Sequence, residues 1–140
     1  MKSIDTFLGK VDIGKVLKDV RSIAIVGLSP KKERPSNMVA RYLMGAGFTI
    51  YPVNPGQTEI LGEVCYPDLK SIPDPVEMVN IFRKSDDVLP IVEQAVAIGA
   101  KTVWMQLGIK NEQGAELAEK NGMSVVMDRC IKIDHSALVP

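Results

Sequence analysis

The sequence predicts an α/β protein in which a doubly wound, parallel sheet of five strands forms a single domain. Five short runs rich in Val and Ile are separated by segments in which apolar residues recur at helical spacing. Near-continuous apolar runs are typical of strands buried on both faces, as they are when helices cover a parallel sheet. A chain of 140 residues is long enough for one such domain and its core.

The elements follow in order from apolar spacing and from the residues that begin or end each segment. Residues 1–20 are predicted to form a helical extension, because Ile13, Leu17 and Val20 share one helical face. Glycine-containing turns end the later helices, and proline or asparagine separates strands from loops. The remaining predicted elements are a strand at 22–26, a helix from 36 to about 45, strands at 48–53 and 76–82, a helix capped by Ser85, Asp86 or Asp87, a strand at 101–105, a helix at 111–120 and a strand at 124–127.

The first strand ends in a pattern that favours phosphate binding. Gly27 and Ser29 follow the apolar run, and a helix is predicted to begin near Ser36. Glycine lets a ligand approach the backbone, and the N–H groups at a helix start carry a partial positive charge. The full G-x-G-x-x-G pattern of dinucleotide sites is absent, and a basic loop with Lys31, Lys32 and Arg34 precedes the helix. The pattern therefore predicts a phosphate site for a nucleotide other than plain NAD.

We expect the strand order 3-2-1-4-5, which places a crevice between the first and fourth strands. Ligands of open α/β sheets bind beyond the carboxyl ends of the strands at such a switch point. The residues that follow the strands there are the candidates: Gly27, Leu28 and Ser29, then Val53, Asn54 and Pro55, then Phe82 and Arg83, and finally Gln106.

The end of the second strand lacks the carboxylate that an NAD site places there to bind the ribose 2′-hydroxyl. Asn54 stands at that position, and unlike a carboxylate it does not repel a phosphate on the ribose. Coenzyme A, with a 3′-phosphate, and NADP, with a 2′-phosphate, both fit this reasoning. The alternative is that the Asn54-Pro55-Gly56 sequence only forms a turn.

Composition excludes several classes of partner. Seventeen basic and seventeen acidic residues balance to a net charge of zero, and only 5% of residues are aromatic, which disfavours nucleic-acid binding. No apolar run is long enough to span a membrane, and the N-terminus lacks the apolar core of a signal peptide. Cys65 and Cys130 are far apart and are expected to be free thiols. We expect a cytoplasmic protein without a membrane or nucleic-acid partner.

The chain resembles the small single-domain CoA-binding proteins, which share the Rossmann-like fold of the CoA-binding domain of the succinyl-CoA synthetase α subunit. The order and spacing of several short motifs carry this resemblance from Val20 to His135. The matching motifs are 26–30 (VGLSP), 33–36 (ERPS), 51–55 (YPVNP), 62–66 (GEVCY), 81–83 (IFR), 99–101 (GAK), 103–106 (VWMQ), 128–130 (DRC) and 134–135 (DH). Asp134 departs mildly from the family, which usually has Glu before the terminal histidine.

The resemblance implies coenzyme A as the cofactor and assigns its parts. Residues 27–29 would hold the pyrophosphate, helped by the helix that begins near Ser36, and Arg34 or a neighbouring lysine would meet a phosphate. Gln106 and the loop after the fourth strand would lie toward the pantetheine arm. The residues that would border the adenosine are Val53, Asn54, Pro55, Phe82 and Arg83. The resemblance does not decide which cation meets the 3′-phosphate.

No catalytic residues and no metal ligands are predicted. His135 has no Cys or carboxylate cluster at ligand spacing and is interpreted as a packing or surface residue, and the two cysteines as small buried residues. The expected function is binding of CoA or an acyl-CoA by a non-catalytic carrier, sensor or regulatory module. The alternatives are an enzyme or enzyme subunit acting on acyl-CoA, or an NADP-binding protein of the oxidoreductase type. A protein partner is left open.

Overall fold

A parallel five-stranded sheet forms the centre of the structure, and helices pack on both of its faces. The computed structural model describes residues 11–139, so the N-terminal half of the predicted helical extension lies outside the described residues. Neighbouring strands of this sheet pair in parallel, which brings their five carboxyl ends to one edge. The prediction of a doubly wound α/β fold is confirmed.

The elements agree with the predicted ones to within one or two residues at most ends. The strands are β1 (Ser22–Val26), β2 (Thr49–Val53), β3 (Glu59–Ile60), β4 (Glu63–Val64), β5 (Met78–Ile81), β6 (Thr102–Met105) and β7 (Ser124–Val126). The α-helices are α1 (Ile13–Asp19), α2 (Pro35–Gly45), α3 (Val88–Ala97), α4 (Glu112–Lys120) and α5 (Ile131–Leu138). Short 3-10 turns cover Leu69–Ser71 and Ser85–Asp87.

Alternate residues of the strands enter different cores. In β1, Ile23 and Ile25 pack beneath α1, α2 and α5, whereas Ala24 and Val26 pack on the side of α3 and α4. This period of two follows from the pleat of the strand, which points successive side chains to opposite faces. Trp104 of β6 is fully buried in the first of these cores, which makes it a core residue rather than a stacking surface.

The strand order is β2-β1-β5-β6-β7, so the expected order 3-2-1-4-5 is wrong. β2 forms an edge because the chain that follows it occupies its outer side: Tyr66 N donates to the Pro52 carbonyl, and Asn54 N donates to the Tyr66 carbonyl, each at 2.9 Å. The chain then returns to pair β5 with the other side of β1. Pro52 is the sequence signal for this position, since proline cannot donate to a ladder and is confined to edge strands or bulges. The switch point lies between β1 and β5.

Helix α5 is absent from the elements that the sequence predicts. Its buried face carries Ile131, Asp134 and His135, so two of its three buried residues are polar and no apolar periodicity marks it. The guanidinium of Arg129 donates two hydrogen bonds to the Asp134 carboxylate, at 2.6 and 2.7 Å. The β3–β4 hairpin is also absent from the predicted elements, because strands of two residues are too short to show a periodic sequence pattern.

Candidate ligand-binding site

Gly27 lies directly after β1, where two clefts meet at the carboxyl edge of the sheet. Its φ is +89°, and its N–H donates to the Val53 carbonyl at 2.9 Å. A Cβ atom at this position would lie 2.5 Å from the carbonyl oxygen of Phe82 and 2.9 Å from Cδ of Arg83. Conformation and space therefore both require glycine, and the chain just after β5 supplies the steric limit.

The narrow cleft, with a volume of about 220 Å³, lies between Gly27 and the start of α2. It is lined by Gly27, Ser29, Arg34, Pro35, Ser36 and Phe82. Arg34 is the N-cap residue of α2 and Pro35 is its first residue, so the positive end of the helix lies at this cleft. An anion is the ligand group that such a site favours.

Hydrogen bonds hold the loop of the narrow cleft against α2. Ser29 N donates to Ser36 Oγ at 2.9 Å, and Asn37 Nδ2 donates to the Ser29 carbonyl at 2.9 Å. Lys31 N donates to Ser29 Oγ at 3.1 Å. Because both serine oxygens accept in these bonds, each hydroxyl keeps its own O–H for donation to a ligand. The buried Asn37 is a positioning residue that the sequence reasoning missed.

The wide cleft, with a volume of about 340 Å³, lies on the other side of Gly27, between the end of β2 and the start of α3. Its lining comprises Val26, Gly27, Val53, Pro55, Pro67, Asp68, Leu69, Arg83, Asp86, Asp87, Pro90, Ile91 and Gln94. Val26, Val53 and Leu69 belong to the buried core, so the floor of this cleft is apolar. A cleft of this size and composition suits part of a small organic ligand.

The two clefts differ in charge. Three carboxylates (Asp68, Asp86, Asp87) and one guanidinium (Arg83) line the wide cleft, whereas Arg34 is the one charged residue in the lining of the narrow cleft. Arg83 NH2 lies 3.6 Å from Asp87 Oδ2, and both side chains are 45% exposed. The wide cleft therefore favours an uncharged group that donates hydrogen bonds, and the narrow cleft favours an anion.

Residues 21–136 match the family model described as the CoA binding domain. The match includes both clefts and every strand of the five-stranded sheet. The chain belongs to the CoA-binding domain family. The resemblance inferred from the short motifs is thereby confirmed.

Two curated relatives differ in how much of their length is similar to this chain. The uncharacterized protein YneT of Bacillus subtilis is 37% identical over 127 residues, which cover 91% of this chain and 94% of YneT. The ADP-forming acetate–CoA ligase I of Archaeoglobus fulgidus is 28% identical over 119 residues, which cover 78% of this chain and 17% of the ligase. The chain spans nearly all of YneT but only about a sixth of the ligase.

Two solved structures with a similar fold also differ in how much of their length this chain covers. A hypothetical protein from Pyrococcus horikoshii OT3 superposes with a TM-score of 0.93 at 39% identity over the whole of both chains. The dinucleotide forming acetyl-coenzyme A synthetase 1 of Ca. Korarchaeum cryptofilum, solved in complex with phosphate and ADP, gives a TM-score of 0.68 at 29% identity. That superposition covers 81% of this chain and 26% of the synthetase.

Asn54 of this CoA-binding domain holds the loops together. Its Nδ2 donates to the Leu28 carbonyl at 2.9 Å, and its Oδ1 accepts from Gly56 N at 2.9 Å. These bonds form the turn that the alternative interpretation expected, and they also fasten the loop after β1 to the end of β2. The absence of a carboxylate at this position remains compatible with a phosphorylated ribose.

Three of the candidate residues line neither cleft, namely Asn54, Leu28 and Gln106. Leu28 is fully buried in the core beneath α2, so its side chain packs rather than faces a ligand. Gln106 is 5% exposed, and its Oε1 accepts from Asn80 Nδ2 at 3.2 Å and from Ile131 N at 3.4 Å. Gln106 thus links β5 and β6 to α5, and contact between Gln106 and the pantetheine arm stays a prediction. The candidates that the two clefts bring together are Gly27, Ser29, Arg34, Ser36, Val53, Pro55, Phe82 and Arg83.

The wide cleft also contains polar residues that the sequence reasoning did not assign to it. The sequence predicts Asp86 and Asp87 as helix caps, yet Asp87, which occupies the N-cap position of α3, makes no side-chain capping bond. Asp68 accepts from Ser71 N and Ser71 Oγ, at 2.9 and 2.7 Å. Only the tertiary fold brings Asp68 beside α3, because some twenty residues separate them in sequence.

The histidine and the cysteines have structural surroundings. His135 is buried, its Nδ1 lies 2.7 Å from the Tyr42 hydroxyl, and its ring packs edge-on against Tyr42 and Phe48. Of the two expected alternatives, a packing or a surface residue, the burial of the ring selects packing. Burial raises the pKa of the Cys65 thiol, whose Sγ donates to the Asn54 carbonyl at 3.5 Å, and Cys130 is partly buried.

Two other features are absent from the described part of the chain. Within residues 11–139, no group of three or more His, Cys, Asp or Glu residues is arranged to hold a metal ion. None of the helices in that part of the chain is long and apolar enough to cross a membrane.

Proposed function

We propose that this chain binds coenzyme A or an acyl-CoA across the two clefts, as a carrier, sensor or regulatory module without catalysis of its own. The observation that carries the proposal is the meeting of two clefts of opposite charge at Gly27. Coenzyme A has a matching polarity, with an anionic diphosphate joined to an aromatic base through a ribose. Membership in the CoA-binding domain family supports the same ligand.

The diphosphate fits the narrow cleft. Arg34, the start of α2 and the hydroxyls of Ser29 and Ser36 supply a positive charge, a helix dipole and two O–H donors. Gly27 leaves the backbone free of a side chain at the point where the diphosphate would cross from one cleft to the other.

The adenosine fits the wide cleft. The apolar floor formed by Val26, Val53 and Leu69 would cover one face of the base, and neighbouring carboxylates accept hydrogen bonds from an exocyclic amine or a ribose hydroxyl. Pro55 and Arg83, which the resemblance assigns to the adenosine, line this cleft.

The second candidate function is that of a subunit that acts on acyl-CoA together with a partner chain. It is favoured by the larger ligases, in which the region similar to this chain makes up 17% of the sequence. In that case the partner would supply the catalytic groups, and this chain would position the coenzyme. Assay of acyl-CoA synthesis or hydrolysis by the chain alone and together with any protein that co-purifies with it separates the two, because a subunit gains turnover in the complex whereas a carrier or sensor gives none in either case.

Ligand identity is tested by thermal unfolding with coenzyme A, NAD, NADH and NADPH at equal concentrations. A ligand that binds only the folded state stabilises it by about 2.7 kcal/mol at a hundred times Kd, which amounts to several degrees in a domain of this size. We expect the largest shift with coenzyme A, and native mass spectrometry of the purified protein should show the same ligand. An equal or larger shift with NADPH would contradict the proposal and favour the NADP alternative.

A further inference from the structure

Arg83 occupies the junction of the two clefts. It follows β5, which pairs with β1, and its Cδ lies 2.9 Å from the point that a Cβ on Gly27 would occupy. Arg83 also lines the wide cleft. Arg34 lies in the narrow cleft, on the side of α2. The two arginines are therefore placed to meet different parts of one extended ligand.

The covalent order of coenzyme A determines which part each arginine can meet. The 3′-phosphate is attached to the ribose, and the ribose lies between the base and the diphosphate. A ligand with its base in the wide cleft and its diphosphate in the narrow cleft has its ribose beside Gly27. The cation at that point is Arg83, and its planar guanidinium suits bidentate binding of a phosphate.

Asp87 competes for the same guanidinium. The 3.6 Å distance from its carboxylate to Arg83 is longer than a charge-assisted hydrogen bond, and both side chains are about half exposed. Asp87 makes no capping bond with α3, so it has no competing local role that would hold it away from Arg83. A phosphate that binds Arg83 must therefore weaken this ion pair and tolerate the negative charge of Asp87.

We propose that Arg83 reads the ribose 3′-phosphate of coenzyme A and that Asp87 limits the strength of this recognition. The inference rests on the proposed function. It assigns discrimination between coenzyme A and 3′-dephospho-coenzyme A to the Arg83–Asp87 pair, and it leaves the diphosphate to Arg34 and the start of α2.

Binding of the 3′-phosphate by Arg83 is tested by calorimetric titration of the protein with coenzyme A and with dephospho-coenzyme A. Wild type should prefer coenzyme A, and Arg83→Gln should lower the ratio of the two affinities roughly tenfold, the effect of one charge-assisted bond. Arg83→Lys should retain part of the preference. Arg34→Gln should weaken both ligands together and leave their ratio near that of wild type.

The proposed weakening of this recognition by Asp87 is tested with the same two ligands. Asp87→Asn should raise the affinity ratio about two- to fivefold, the range expected for an exposed ion pair. Glu93→Gln is the matched control, because it removes one negative charge from an exposed position on α3 outside both clefts, and its ratio should equal that of wild type. Melting temperatures of all variants establish that they are folded.

The failures of the two proposals are distinguishable. If wild type binds neither ligand, the proposed function and this inference both fail. If both ligands bind with equal affinity, or if Arg83→Gln weakens them by the same factor, the proposed function stands and the reading of the 3′-phosphate by Arg83 is refuted. If Asp86→Asn raises the ratio as much as Asp87→Asn does, the general charge of the wide cleft acts on the phosphate and the assigned role of Asp87 is refuted.

Discussion

Gly27 is required for two separable reasons, its positive φ and the closeness of Phe82. Gly47 also has a positive φ, of 101°, but a Cβ there would meet nothing within 4 Å. Gly47→Ala should therefore lower the free energy of unfolding by about 1–2 kcal/mol, the cost of a left-handed residue. Gly27→Ala should lose roughly a further 1–3 kcal/mol from overlap with the Phe82 carbonyl. Urea unfolding of both variants measures the difference.

Equal stability of the two alanine variants would show that the Phe82 carbonyl moves away from residue 27 at little cost in free energy. The expected difference also has a practical consequence for ligand studies. A substitution of Gly27 disturbs the pairing of β1 with β5 as well as the ligand site, so loss of binding in such a variant does not by itself locate the ligand. Arg34 and Arg83 are exposed and offer cleaner tests.

At the level of residues, the sequence could predict positions in the chain but not directions of side chains. The rule that ligands bind beyond strand ends selected Ser29 and Arg83, which line the clefts. The same rule selected Leu28 and Gln106, whose side chains turn into the interior. A residue that follows a strand can face either the cleft or a packed helix, and only the tertiary contacts decide between them.

The buried face of helix α5 combines one apolar residue, Ile131, with the ion-paired Asp134 and with His135. Asp134 is 6% exposed and accepts two hydrogen bonds from Arg129, which is 26% exposed. Asp134→Asn should lower the free energy of unfolding by roughly 2–3 kcal/mol, below the cost of breaking a fully buried pair because Arg129 still reaches water. Chemical unfolding measures the change.

The matched control for α5 is Asp19→Asn, which breaks the ion pair of Asp19 with Lys15 at the surface of α1. That pair is 2.8 Å long but solvent-exposed, so its removal should leave the unfolding midpoint unchanged within error. Similar small effects of both substitutions would mean that packing of Ile131, rather than the Arg129–Asp134 pair, holds α5 on the sheet.

The elements that the sequence predicted correctly are those with apolar periodicity and clear ends. Helix α4 is an example, because Asn111 caps it by accepting from Gly114 N and a turn at Asn121 ends it. Helix α5 escaped prediction because Asp134 and His135 occupy its buried face, where a sequence pattern expects apolar residues. Their partners, Arg129 and Tyr42, become visible only in three dimensions.

At the scale of the whole molecule, the strand order determines which residues form the site. With β5 rather than β6 beside β1, the residues after β5 stand next to Gly27, and Gln106 lies one strand farther away. Patterns along the chain predicted five parallel strands correctly, but they do not encode pairing between strands that are distant in sequence. Pro52 lies within β2 and indicates that β2 is an edge strand, which is the local sequence signal for the observed strand order.

The position of the whole ligand can be mapped by amide hydrogen exchange with ADP and with coenzyme A. Both ligands contain the adenosine diphosphate, so both should slow exchange in residues 27–36 and 82–87, which border the two clefts. Only coenzyme A has a pantetheine arm. If that arm runs toward Gln106, as the family resemblance implies, coenzyme A should add protection in residues 106–109 that ADP lacks.

The internal control for this mapping is α4, which lines neither cleft and should exchange at the same rate with both ligands. Slowing that extends uniformly to α4 would reflect a general rise in stability rather than contact, because global unfolding then limits exchange everywhere. Coenzyme A could slow exchange in residues 27–36 and 82–87 but not in residues 106–109. That result would support the adenosine diphosphate in the two clefts and show that the pantetheine arm does not run toward Gln106. Protection confined to 106–109 and the start of α5 would instead place the ligand one strand away from Gly27 and overturn the two-cleft site.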